Sequence, residues 1–95
     1  MIAVSVREDR ITVTGHAGYA PPGQDIVCSS VSALTQVLIK SIEDLTDDRI
    51  FYEIVPGSTN IVYGNLSEKS RTLVDSFFIG IAMIADEYSD YVRIV

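Results

Sequence analysis

The sequence predicts a small α+β domain, ββαββαβ in order, with two helices packed on a mostly antiparallel sheet. Three observations carry that prediction. Apolar residues alternate with polar ones near both ends of the chain and in its middle, two longer stretches carry the three-to-four spacing of a helix, and clusters of turn formers separate these stretches.

Each element can be justified in turn. Ile2, Val4 and Val6 alternate with smaller or polar residues, Glu8-Asp9-Arg10 interrupts, and Ile11 and Val13 resume the period before Gly15. This reads as a hairpin with His16 at its far end. After the loop Ala17 to Gln24, residues Val27, Val31, Leu34, Leu38, Ile42 and Leu45 step by four, three, four, four and three, which is one face of a helix. Asp25 suits the N-cap of that helix, with Ser29 or Ser30 as later starts. Phe51 to Val55 and Asn60 to Leu66 flank Pro56-Gly57-Ser58-Thr59, the turn of a second hairpin. Ser67 then opens a second helix, whose Leu73, Val74, Phe77, Phe78, Ile81, Met83 and Ile84 cover more than one face and imply burial on two sides. Tyr91 to Val95 alternates again and closes the sheet as a last strand.

Length and composition set limits. The 95 residues make one domain, 1–95, with a small core that a partner subunit would enlarge. A net charge of −6 argues against nucleic acid or an anionic membrane as the main ligand. The apolar run Phe77 to Ala85 is too short to span a bilayer. A single cysteine forms no internal disulfide, and Met1 to Asp9 lacks the organisation of a signal sequence, so a reducing cytoplasm is the expected compartment. One His and one Cys fall short of a zinc ligand set, and GxxxxGK[ST] is absent, so no metal and no cofactor are expected.

The run Gly15 to Ser32 holds the only histidine and the only cysteine, His16 and Cys28, twelve positions apart. The thiolate is the reactive form of cysteine, and a thiol of ordinary pKa, about 8.5, is only about 3% thiolate at pH 7. A helix amino terminus and a neighbouring imidazolium both favour the anion. His16 could therefore serve as base to a Cys28 nucleophile, with the Cys28 and Ser29 backbone N–H groups receiving an oxyanion. Asp25 has two readings: it orients His16 as the third member of a triad, or it only caps the helix. Ser29, Ser30 and Ser32 bring hydroxyls near the thiol, Ser32 one helical turn beyond it.

Gly15-His16-Ala17, a loop, then Gly23-Gln24-Asp25-Ile26-Val27-Cys28 followed by Ser32 resembles the signature of the bacterial ribosomal-processing cysteine proteases, the Prp (YsxB-like) family. The likeness extends over the whole length, from the first hairpin to the Asp-Glu-Tyr-Ser segment before the last strand. It implies a homodimeric α+β protease whose Cys-His dyad, Cys28 and His16 here, removes a short N-terminal extension from the twenty-seventh large-subunit ribosomal protein. It also implies a loop, Gly18 to Gln24, that moves when substrate enters, although Pro21-Pro22 would stiffen it here. Gly15, Gly18, Tyr19, Gly23, Ser29 and Ser32 are the expected substrate contacts. Prophage relatives point to a phage structural protein as another substrate. Two other classes of function fit a lone Cys and His: a noncatalytic peptide-binding module, and a thiol redox sensor.

Overall fold

Every stretch of period-two alternation forms a strand in the computed structural model, which describes residues 1–95. The strands are β1 (Ile2–Val6), β2 (Arg10–Thr14), β3 (Phe51–Val55), β4 (Ser58–Val62) and β5 (Val92–Ile94), and the helices are α1 (Ile26–Leu45) and α2 (Glu68–Glu87). They form one five-stranded sheet in the order β3-β4-β2-β1-β5, antiparallel except for the β1–β5 pair. The predicted α+β architecture and element order are those observed.

Register explains why the helices cover one face only. Pairing Ile11 with Val6 and Ile61, and Ile2 with Val92, gathers the branched apolar residues on one side of the sheet. The row Ser5, Thr12, Asn60 and Glu53 runs across the other. Against the apolar side lie Val27, Val31, Leu38 and Ile42 of α1 and Val74, Phe77 and Ile81 of α2, all buried. At that scale each fully buried branched side chain is worth about 1.5–3 kcal/mol of transfer free energy. The two helices approach closely where Gly80 of α2 meets Leu34 of α1: a Cβ on Gly80 would lie 2.9 Å from Leu34 Cδ1.

Asp25 caps α1 as expected, ahead of Ser29 or Ser30, since its carboxylate reaches the first free N–H groups. Other details differ from the expectation, each for a physical reason. The buried stripe of α1 takes in Thr35 and Ile39 and ends at Ile42, leaving Leu45 60% exposed in the last turn. A hydroxyl is tolerated at Thr35 because its Oγ1–H donates back to the Val31 carbonyl at 2.7 Å. The second hairpin turn contains only Pro56 and Gly57, because β4 starts at Ser58 rather than Asn60 and ends at Val62. Tyr63 leaves the ladder and donates its N–H to the Asp9 carbonyl and its hydroxyl to the Arg7 carbonyl, pinning the first hairpin turn. Desolvation, and then the Asp9 charge, raise that phenol above its usual 10.0.

Within this chain α2 is buried on one side only. Phe77 and Ile81 face the core, whereas Ile79 and Met83 are 62% and 69% exposed. By length and composition α1 would also pass as a membrane span, but its apolar stripe is the one packed on the sheet.

Candidate active site

The end of β2 delivers the histidine. At Gly15 a Cβ would strike the Met1 carbonyl, so a bare residue is required where the chain leaves the sheet, and His16 follows it, exposed. The start of α1 delivers the cysteine. Cys28 is the third helical residue, half-buried, and its Sγ accepts a hydrogen bond from the Ala17 N–H at 3.4 Å. Residues on either side of the loop thus meet: the position after the histidine touches the sulfur.

Asp25 ties that loop down. Its Oδ1 accepts from Val27 N–H at 3.0 Å and Cys28 N–H at 2.9 Å, the capping bonds. Its Oδ2 accepts from Tyr19 N–H at 3.0 Å and Ala20 N–H at 3.4 Å, across the loop. The bond from Cys28 N–H chiefly, with those from Tyr19, Ala20 and Val27, holds its carboxyl below the usual 3.8 despite opposing desolvation. No bond runs from this carboxylate to His16, so of its two readings the geometry is that of a cap, extended into a loop anchor. The expected oxyanion donors need correction for the same reason: Cys28 N–H is taken by Asp25 Oδ1, and Ser29 N–H by the Asp25 carbonyl at 3.1 Å.

His16 and Cys28 line one groove of about 470 Å³ between α1 and the β3–β4 hairpin. Its α1 wall is Cys28, Val31, Ser32, Thr35 and Gln36; its hairpin wall is Ile54, Val55, Pro56, Gly57, Ser58 and Thr59. Of the expected substrate contacts, Gly15 and Ser32 line this groove. Ser32 Oγ accepts from Gln36 Nε2 at 2.8 Å. Gly18, Tyr19, Gly23 and Ser29 lie outside the lining. Tyr19 instead packs edge-on against Tyr88 and Tyr91, with ring centroids 5.6 and 5.1 Å away, and Ser29 Oγ donates to the Asp25 carbonyl.

The hairpin wall is what sequence reading missed. Thr14 pairs with Ser58, which puts the Pro56-Gly57 turn at the same end of the sheet as Gly15 and His16. The signal was the turn itself, but only the pairing of β4 with β2 reveals what it faces.

A small α+β domain with its one thiol at a helix start and its one imidazole in the same groove has the layout of a cysteine protease. Residues 1–93 match the family model described as Cysteine protease Prp. The chain belongs to that family. Among curated relatives it is 36% identical to the ribosomal processing cysteine protease Prp of Mycoplasma pneumoniae, over 67% of this chain and 72% of that one. It is 27% identical to the protein of that name from Bacillus subtilis, over 86% of this chain and 80% of the other. In fold it is similar to an essential ribosomal processing protease Prp from S. aureus, solved with a covalently linked product peptide, at a TM-score of 0.89 and 21% identity, covering 98% of this chain and 94% of that one.

Proposed function

We propose that this cysteine protease removes a short N-terminal extension from a ribosomal large-subunit protein, by resemblance the twenty-seventh, with Cys28 as nucleophile and His16 as general base and acid. The observation that carries the reading is the shared groove: the only thiol and the only imidazole of the chain line it together, between α1 and the β3–β4 hairpin. The names of the curated relatives support the substrate class.

The chemistry follows from the groups present. His16 takes the thiol proton and Cys28 Sγ bonds to the scissile carbonyl carbon, whose π pair moves onto oxygen. Collapse of that oxyanion restores the C=O bond and expels the amine, which leaves with the proton from His16. Water then adds to the thioester, giving up a proton to His16, and the thiol is regenerated with release of the carboxylic acid. With the Cys28 and Ser29 N–H groups occupied, the backbone donor already at the reacting sulfur is Ala17 N–H. Asp25 serves by fixing the loop that carries this donor.

A homodimer is part of the proposal. The edge strand β3 exposes Phe51, Tyr52, Ile54 and Val55, which is an apolar surface that a second copy would cover. Sedimentation at rising concentration tests it, and a monomer throughout refutes it.

The activity test is mass spectrometry of the candidate ribosomal protein before and after incubation with purified enzyme. Loss of the extension is expected with wild type and no cleavage with Cys28→Ala or His16→Ala, whose circular dichroism matches wild type. Cleavage by Cys28→Ala would refute the assignment.

A further inference from the structure

The β3–β4 turn meets the end of β2 twice, once at Gly15 and once at the histidine ring. The Gly15 N–H, one residue before His16, donates to the Gly57 carbonyl at 2.9 Å. The ring itself abuts the bare backbone of Gly57: a Cβ there would lie 2.8 Å from His16 Nε2, 3.4 Å from Cε1 and 3.5 Å from Cδ2. Those are the three atoms of the outer edge of the imidazole, the edge that must exchange protons if Nε2 serves the reaction. His16 is otherwise exposed, and no side-chain partner holds it by a hydrogen bond. Its place in the groove is therefore set by packing, and Gly57 supplies the surface.

We propose that Gly57 is a positioning residue for catalysis, the seat on which the His16 ring rests, and that the absence of a side chain at this position is a requirement of the base rather than of the turn alone. The proposal rests on His16 being the base. Gly57 has φ +75°, so a turn requirement exists as well, and the two must be separated. Asn tolerates a positive φ far better than Ala, yet both carry the same Cβ. Strain in the turn thus ranks Ala as much worse than Asn, whereas collision with the ring ranks them alike. A Cβ at 2.8 Å forces the imidazole edge outward by several tenths of an ångström or into another rotamer, and misplacement on the order of 1 Å costs up to about 10²-fold in rate.

The test uses the full chain with wild type, Gly57→Asn, Gly57→Ala and His16→Ala. Cleavage of the extension-bearing peptide, thermal unfolding, and the NMR signals of the imidazole are measured; His16 is the sole histidine, so its ring resonances need no assignment. Expected for Gly57→Asn and Gly57→Ala is a similar fall in kcat of about 10- to 100-fold, with KM within about twofold of wild type. Both should shift the ring resonances and displace the pH–rate profile, while Ala lowers Tm more than Asn. Wild-type kcat and ring signals in Gly57→Asn, or activity that follows Tm rather than the Cβ, overturns the proposal. Failure of the underlying reading has a different signature: His16→Ala then still cleaves, while the Gly57 variants continue to shift the ring resonances.

Discussion

Gly80→Ala sets two known effects of opposite sign against each other at the contact that holds the cysteine-bearing helix. In a helix interior, replacing Gly by Ala stabilises by about 0.8–1.0 kcal/mol. Here the new Cβ would lie 2.9 Å from Leu34 Cδ1 and 3.3 Å from Cδ2, so Leu34 must move. Leu34 is only half-buried and its methyls are the flexible end of the side chain, so it can turn away at a cost of about 0.5–1.5 kcal/mol for the displaced rotamer. The sum is close to zero, within about 0.7 kcal/mol of wild type. In a Leu34→Ala background the obstacle is gone and the same substitution should stabilise by the full amount of about 1 kcal/mol, which for a domain of this size is a Tm rise of about 4–8 °C. Unfolding of the four proteins in urea, followed by circular dichroism, gives the coupling directly, and about 0.5–1.5 kcal/mol is expected. An equal stabilisation by Gly80→Ala in both backgrounds would show that the two helices do not meet at this point.

Two more outcomes follow from the site. The Asp25 carboxyl titrates below its usual 3.8, so the stability it contributes is fully present above about pH 4 and is lost as pH falls through the lowered value; Asp25→Ala should remove part of the acid-induced loss seen in urea unfolding between about pH 6 and pH 3, and an unchanged acid limb would refute the four-bond anchor. Tyr19→Ala should speed hydrogen exchange at the amides of Gly18, residue 19, Ala20, Gly23 and Gln24 and cost about 0.5–1.5 kcal/mol for each lost aromatic contact, Tyr19→Phe should do neither, and equal exchange in all three proteins would remove Tyr88 and Tyr91 as its anchor.

Most of the fold was legible because its elements obey local rules. Ile2, Val4 and Ile11 alternate, Val27 through Ile42 step by helical spacing, and Asp25 and Ser67 are both N-caps in fact as in expectation. The ends were less legible where tertiary reach decides them: Leu45 continues the spacing of α1 but lies exposed past the last buried residue, Ile42, and Thr35, polar by type, is buried with its hydroxyl satisfied within the helix. For the site, His16, Cys28, Gly15 and Ser32 could be named from the chain because they flank one loop or lie one helical turn beyond it. Gly57 could not. Its nearness to His16 depends on β4 pairing with β2, and no spacing in the sequence encodes a contact across 41 residues. The packing of Tyr19 was hidden for a related reason, since its ring finds its partners at the far end of the chain.

Asp25 poses a conflict that the geometry resolves. A carboxylate three residues before the cysteine adds negative charge where the proposed mechanism forms a thiolate, and it consumes the Cys28 N–H that a helix start would otherwise offer to an oxyanion. Four backbone N–H groups share that charge, however, and two of them belong to the loop. The same carboxylate that removes one donor from the site thereby fixes the segment that supplies another, since Tyr19 and Ala20 follow directly on Ala17 and Gly18 and the Ala17 N–H is aimed at the sulfur. Capping the helix and presenting a donor to the Cys28 sulfur are then one structural task. That task requires an acceptor-only group with two oxygens, and an amide at this position would turn one donor-accepting edge into a second donor facing Tyr19 and Ala20.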